Sequence, residues 1–188
     1  MEDIVQTRRS WLSSMVAGTT GLVLCSQTAA ERQAFAETTV INVNVVTKAG
    51  YDRVIAANKG KVIVVDCWAT WCVPCRKAFP KTVELSKAYA DKGVVVVSLS
   101  FDEPVKGQAP DKVKEFLVKQ DAKFENLISS LSISEDGADA FDIADGALPH
   151  FKIYGRDGKL FKKFDSGEDK EFSHQDIEAA VKAALKAK

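Results

Sequence analysis

"VIVVDCWATWCVPCRKAFP", Val62 to Pro80, is the stretch whose reading decides the fold. It opens as a near-continuous apolar run, the mark of a central strand buried on both faces. Alternation along that strand puts Asp66 and Trp68 on one side and Val65, Cys67 and Ala69 on the other. Pro74 then opens a helix, because the first turn is where a missing N–H costs nothing. Phe79, Val83, Leu85 and Tyr89 ride on that helix, and Gly93 is near its end. Pro80 lies inside it and predicts a kink. Cys72 and Cys75 therefore stand where a buried strand meets a helix N-terminus.

That position has chemical consequences. The first helical turn leaves backbone N–H groups unpaired and carries a partial positive charge. A thiolate on Cys72 would be stabilised there, which lowers its pKa below the free value of about 8.5. Cys75, one turn further in, is expected to be more shielded. Two cysteines at this spacing can close a disulfide with little backbone movement, with Cys72 attacking and Cys75 resolving. Cys67 makes a third cysteine in nine residues, so a metal site competes with a redox centre. A zinc site would need a fourth ligand, and His150 and His174 lie far away in sequence. A covalently held haem would need histidine where Arg76 stands. No metal and no cofactor is expected, and Cys67 reads as a small core residue.

Outward from this stretch, Thr38 to Val46 alternates as a strand, and Tyr51, Val54 and Ile55 recur at helical spacing before Gly60. Val94 to Phe101 is a second fully buried strand. After the loop "EPVKGQAP", Asp111 to Gln120 forms an amphipathic helix carrying Val113, Phe116 and Leu117. Phe124 to Leu127 reads as a short strand or turn, and a helix is expected around 136–143. Pro149 to Phe164 forms a hairpin about Gly155-Arg156-Asp157-Gly158. Ser173 caps a terminal helix with Ile177, Val181 and Leu185 in its stripe. The order β-α-β-α-β-α-(α)-β-β-α implies an α/β fold in three layers around a mixed sheet.

"WCVPC" after a buried strand, Pro80 five residues past the second cysteine, and the Pro149-led hairpin together resemble the thioredoxin superfamily. "ATWCVPCRK", "VVVVSLSFDE" and the inserted "DKVKEFLVKQ" helix are most similar to its TlpA/ResA-type thiol–disulfide oxidoreductases. The resemblance covers roughly Val45 to Leu185. It implies a three-layer α/β/α thioredoxin-like fold with a central mixed sheet, acting as a protein-disulfide oxidoreductase. Trp71 then matches the tryptophan that shields the cysteines and lines the partner groove. Trp68 matches the inner tryptophan beneath the site. Asp66 matches a buried acid that helps deprotonate the resolving cysteine, and Pro149 matches the cis-proline that presents backbone to an extended substrate. Leu148, before that proline, and Val73-Pro74, between the cysteines, are positions that bear on the redox potential. Ala78 stands where this group often has glutamate, so any acid–base role falls to Asp66. His150 follows the proline, where threonine is common, as either a structural or a titrating residue. A thiol peroxidase and a non-catalytic interaction module on the same fold remain as alternatives.

The remaining bounds come from composition. The 188 residues hold 26 Lys+Arg and 26 Asp+Glu, so nothing favours nucleic acid or an acidic membrane as partner. Residues 1–36 differ from the rest. Arg8 and Arg9 are followed by no charge until Glu31, and "AFA" at 34–36 fits a small-x-small cleavage site. "TRRSWL" resembles a twin-arginine export signal, although Glu2 and Asp3 are atypical of one. The apolar stretch Met15 to Cys25 is too short to span a membrane. The expectation is an export leader over 1–36 and a thioredoxin-like domain over 37–188, exported to a bacterial periplasm or a thylakoid lumen. The expected partners are client proteins with reactive cysteines or disulfides and an upstream redox protein.

Overall fold

Strand β2 (Val62–Trp68) is buried at every residue, and this fixes its place at the middle of the sheet. In the structure, a computed structural model describing residues 41–167 and 171–187, β2 pairs in parallel with β3 (Val94–Ser100) and antiparallel with β5 (His150–Tyr154). Beyond β3 lie β4 (Glu125–Ser129) and the edge strand β1 (Val43–Val46), both parallel. Beyond β5 lies its hairpin partner β6 (Leu160–Phe164). The six strands run in the order β1-β4-β3-β2-β5-β6, and β5 alone runs against the other five.

Two layers of helix cover this sheet. On one face α1 (Lys48–Ala57) and the short α4 (Glu135–Ala140) close a core of Tyr51, Ile55, Val65, Cys67, Leu99 and Phe141. On the other face lie α2 (Val73–Tyr89), α3 (Asp111–Lys119) and α5 (His174–Lys186). Phe79, Val83, Val113 and Leu117 pack beside Trp68, while Leu85, Ile177 and Val181 pack beside Val64 and Ile153. The mixed three-layer α/β fold is the one the element order implies.

Several elements differ from the expectation. Strand β4 is a full member of the sheet, bonded on both sides. Its polar Asn126 is tolerated in the core because the side chain is satisfied. It accepts from Ser98 at 2.8 Å and donates to the carbonyls of Ala122 and Phe124. β1 begins at Val43, and its expected beginning over 38–40 lies outside the described residues, as does the leader. Helix α2 extends past Pro80 to Tyr89, so that proline lies inside it as expected. The hairpin turns at Gly155–Gly158, where Gly158 has φ +77°, and Ser173 caps α5 in a reciprocal box with Asp176. No helix of the described residues is long and apolar enough to cross a membrane.

Candidate active site

The C-terminal end of β2 delivers the chain into a tight turn. Ala69 accepts a hydrogen bond from the Cys72 amide at 3.1 Å, and Cys72 becomes the N-cap of α2. The backbone N–H of Cys75 donates to Cys72 Sγ at 3.2 Å. An unpaired first-turn donor therefore points at the sulfur that would carry charge as a thiolate. A disulfide joins Cys72 and Cys75, whose Cα atoms are 5.3 Å apart. Cys75 is fully enclosed. Cys72 retains slight exposure between the exposed side chains of Trp71 and Val73, so an apolar rim flanks the outer sulfur. Pro74 sits in the first turn of α2.

The Leu148–Pro149 peptide is cis. Leu148 packs against the same cluster as Trp68, Cys72 and Cys75. The Ser166 hydroxyl donates to the Pro149 carbonyl, which ties this loop to the end of β6. Pro74, Ala78, Leu148, Pro149, Phe172 and Ile177 line a groove of about 430 Å³. With Ala78 on its wall, the groove has no carboxylate at that position. Trp68 is wholly buried, its ring 4.9 Å from Phe79 and 4.8 Å from Phe116.

Asp66 is buried on the α2 side of β2, where it accepts a hydrogen bond from Thr82 Oγ1 at 2.6 Å. Burial raises its carboxyl pKa to about 7, against the opposing hydrogen bond from Thr82. It can therefore exchange a proton near neutrality. Cys67 and His150 are register partners on the opposite face of the sheet, away from α2. Burial pushes the Cys67 thiol up to about 12, so it is protonated and packs as an apolar residue. His150 is fully enclosed, with Nδ1 3.1 Å from Asp165 Oδ1 but out of line for a hydrogen bond. Burial, with Lys152 nearby, lowers its pKa to about 4 and keeps it neutral. Of the sequence candidates, Cys72, Cys75, Trp68, Pro74 and Leu148 share one cluster or helix turn. Trp71 and Pro149 border that region, and His150 lies across the sheet from it.

Asp102 was not among the candidates, yet it holds the turn in front of Cys72. Its Oδ2 accepts from the Thr70 amide at 2.7 Å and from Ser100 Oγ at 2.9 Å. Its Oδ1 accepts from Thr70 Oγ1 and pairs with Lys112 at 2.6 Å. Burial pushes this carboxyl up, but the hydrogen bonds from Lys112, Thr70 and Ser100 outweigh it and hold it below its ordinary value. The signal was an acid that closes the buried run "VVVVSLSF". Its partner Thr70 lies 32 residues earlier, which pattern reading does not connect. Among the described residues, no group of three or more His, Cys, Asp and Glu side chains is placed to hold a metal ion.

A cysteine pair capping a helix at the end of a central strand, with a cis-proline loop beside it, defines a thioredoxin-like protein. The redoxin family model matches residues 29–181, and the chain belongs to that family. Over 113 residues it is 32% identical to the thiol-disulfide oxidoreductase ResA of Bacillus cereus, which is 60% of each chain. Over 78 residues it is 38% identical to the thioredoxin-like protein YneN of Bacillus subtilis, covering 42% of this chain and 44% of that one. The chain thus spans no more than about 60% of the length of these two relatives. Among solved structures it is similar to a thiol:disulfide interchange protein of the thioredoxin family from Chlorobium tepidum. That likeness has a TM-score of 0.52 and 25% identity, over 69% of this chain and 83% of that one.

Proposed function

We propose that the protein exchanges disulfides with client proteins through Cys72 and Cys75. The observation that carries this reading is the Cys75 amide aimed at Cys72 Sγ at the start of α2. It supports Cys72 as the nucleophile of the pair. The likeness to ResA and to a disulfide interchange protein supports the same chemistry.

In the reducing direction the Cys72 thiolate attacks a client disulfide. A bond forms between Cys72 and one client sulfur, the client S–S bond breaks, and the second client sulfur leaves as a thiolate. The Asp66 carboxylate then takes the proton from Cys75. The Cys75 thiolate attacks Cys72 Sγ, closes the 72–75 disulfide and expels the client's remaining thiolate. An upstream redox protein restores the dithiol, and the same steps in reverse oxidise a client. Trp71 and the Leu148–Pro149 loop would seat the client as an extended segment beside the sulfurs. The twin-arginine-like leader supports an exported location, where clients with disulfides occur.

Insulin reduction driven by dithiothreitol tests the reading. The wild type is expected to accelerate precipitation and Cys72→Ser to lose that activity. Cys75→Ser is expected to accumulate a mixed disulfide visible by mass spectrometry. A correctly folded wild type without activity would overturn the proposal.

A further inference from the structure

Thr82 has no part in the sulfur chemistry, yet its hydroxyl is buried and spent on a single partner, Asp66. It lies seven residues after Cys75, two helical turns on, and therefore on the same face of α2. Cys75, Phe79, Thr82 and Val83 are all buried in that face. Asp66 looks into it from β2. The groups around the carboxylate are few. On β3, Ser98 lies in register with it, but its hydroxyl is donated to Asn126. On β5, Phe151 is in register. Cys67 follows in the chain, and with Lys152 on β5 it belongs to the opposite face. From α2, Thr82 meets the carboxylate, and Cys75 lies two turns earlier on the same buried face. None of the ion pairs among the described residues includes Asp66. Among the described residues, the one hydrogen bond to this buried carboxylate is from Thr82.

We propose that Thr82 is a positioning residue for the resolving step: its hydroxyl holds the Asp66 carboxylate in place and sets the pH at which that carboxylate can take the Cys75 proton. Hydrogen bonding to the charged form favours it, and burial opposes it. The two effects place the carboxyl near 7, where it can both accept and return a proton. Once Asp66 is protonated, its O–H can donate back to Thr82 Oγ1. The threonine hydrogen then turns to the Ala78 carbonyl four residues earlier, as helical threonines do. The hydroxyl thus accompanies both states while the proton moves only between Cys75 and Asp66.

This inference rests on the base role of Asp66 proposed above, and one experiment separates the two. The reduced full chain is mixed with 5,5′-dithiobis-(2-nitrobenzoate) in a stopped-flow instrument across pH 5 to 9. The first thionitrobenzoate released reports attack by Cys72, and the second reports resolution by Cys75. Thr82→Val is expected to move the midpoint of the second step up by about one pH unit, the loss of one hydrogen bond to a charged group. Resolution at pH 7 slows about fivefold on that shift. The first step keeps its profile, and Thr82→Ser restores the second. If Thr82→Val does not fold, Thr82→Ala removes the same donor. Suppose Asp66→Asn changes the second step while removing the Thr82 hydroxyl does not. The inference then fails, and the base role of Asp66 stands. A shift of both steps together also overturns it. An unchanged second step in Asp66→Asn removes the base role and this inference with it.

Discussion

At the scale of single residues, what separates this site from a generic cysteine pair is how the turn before Cys72 is held. Asp102 gathers the amide and hydroxyl of Thr70, the hydroxyl of Ser100 and the ammonium of Lys112. Its own carboxylate has no solvent exposure, whereas Lys112 is largely exposed. The internal donors therefore matter more than the ion pair, which water screens. Removing the carboxylate leaves the donors of half-buried Thr70 and buried Ser100 without this partner, at about 1–3 kcal/mol for each one that finds no water. Asp102→Ala is expected to lower stability by about 2–4 kcal/mol in urea titrations. It is also expected to change the rate at which reduced Cys72 is alkylated, because Thr70 and Trp71 lead directly to it. Lys112→Ala is expected to cost less than about 1 kcal/mol. Equal losses in the two variants would show that the ion pair, and not the turn, is what Asp102 serves.

At the scale of elements, the strongest signals in the sequence were those with an unbroken physical cause. β2 and β3 are mostly apolar and read as central strands. α2 follows from a proline in its first turn, α5 from Ser173 and its stripe, and the hairpin from Gly155 to Gly158. β4 was half-legible, because Glu125 and Asn126 break its apolar run and only the fold supplies the carbonyls and the Ser98 hydroxyl that satisfy Asn126. The redox pair was legible because its chemistry is local. Asp66 and Thr82 could be placed singly, but their bond joins a strand to a helix 16 residues on. Asp102 was invisible for the same reason at twice the distance. α4 carries a contact that sequence also hides. A Cβ on Gly137 would lie 1.9 Å from the Ser132 carbonyl oxygen, although the backbone there is helical. Helix propensity alone would have Gly137→Ala stabilise by up to about 1 kcal/mol. The contact is with backbone and cannot swing aside, so the opposite sign is expected, a loss of about 1–3 kcal/mol. α4 leads through Phe141 into the segment carrying Leu148 and Pro149, so its displacement is expected to weaken client turnover as well. Thermal unfolding and insulin reduction check the two parts. A more stable Gly137→Ala would mean that Ser132 yields.

At the scale of the whole molecule, two buried titrating groups on opposite faces of one sheet act against each other. The Asp66 carboxyl rises from 3.8 to about 7 on folding, so between those values the folded state holds more protons than the unfolded one. Stability from this group is complete below 3.8 and is lost as pH rises towards 7. His150 falls from 6.5 to about 4, so in that window the unfolded state holds more protons, and stability is gained as pH rises. His174, also lowered by burial, adds to the second trend. The lowered carboxyls of Asp102, Asp142 and Asp176 act below their ordinary range and leave this window alone. Each full group contributes at most about 1.4 kcal/mol per pH unit, so between about pH 4.5 and 6 the slopes largely cancel. The wild type is expected to show nearly flat stability there. Above pH 7 the unfolded histidines have lost most of their protons, Asp66 dominates, and stability is expected to decline. Asp66→Asn removes one side of the balance: its stability should climb by up to about 2 kcal/mol from pH 4.5 to 6 and show no decline above 7. His150→Gln should do the reverse and fall across the same range. Urea midpoints at half-unit intervals provide the measurement. An Asp66→Asn curve parallel to the wild type at every pH would mean that this carboxyl titrates alike in the folded and unfolded chain, and the proton exchange near neutrality that resolution by Cys75 relies on would then lack its source.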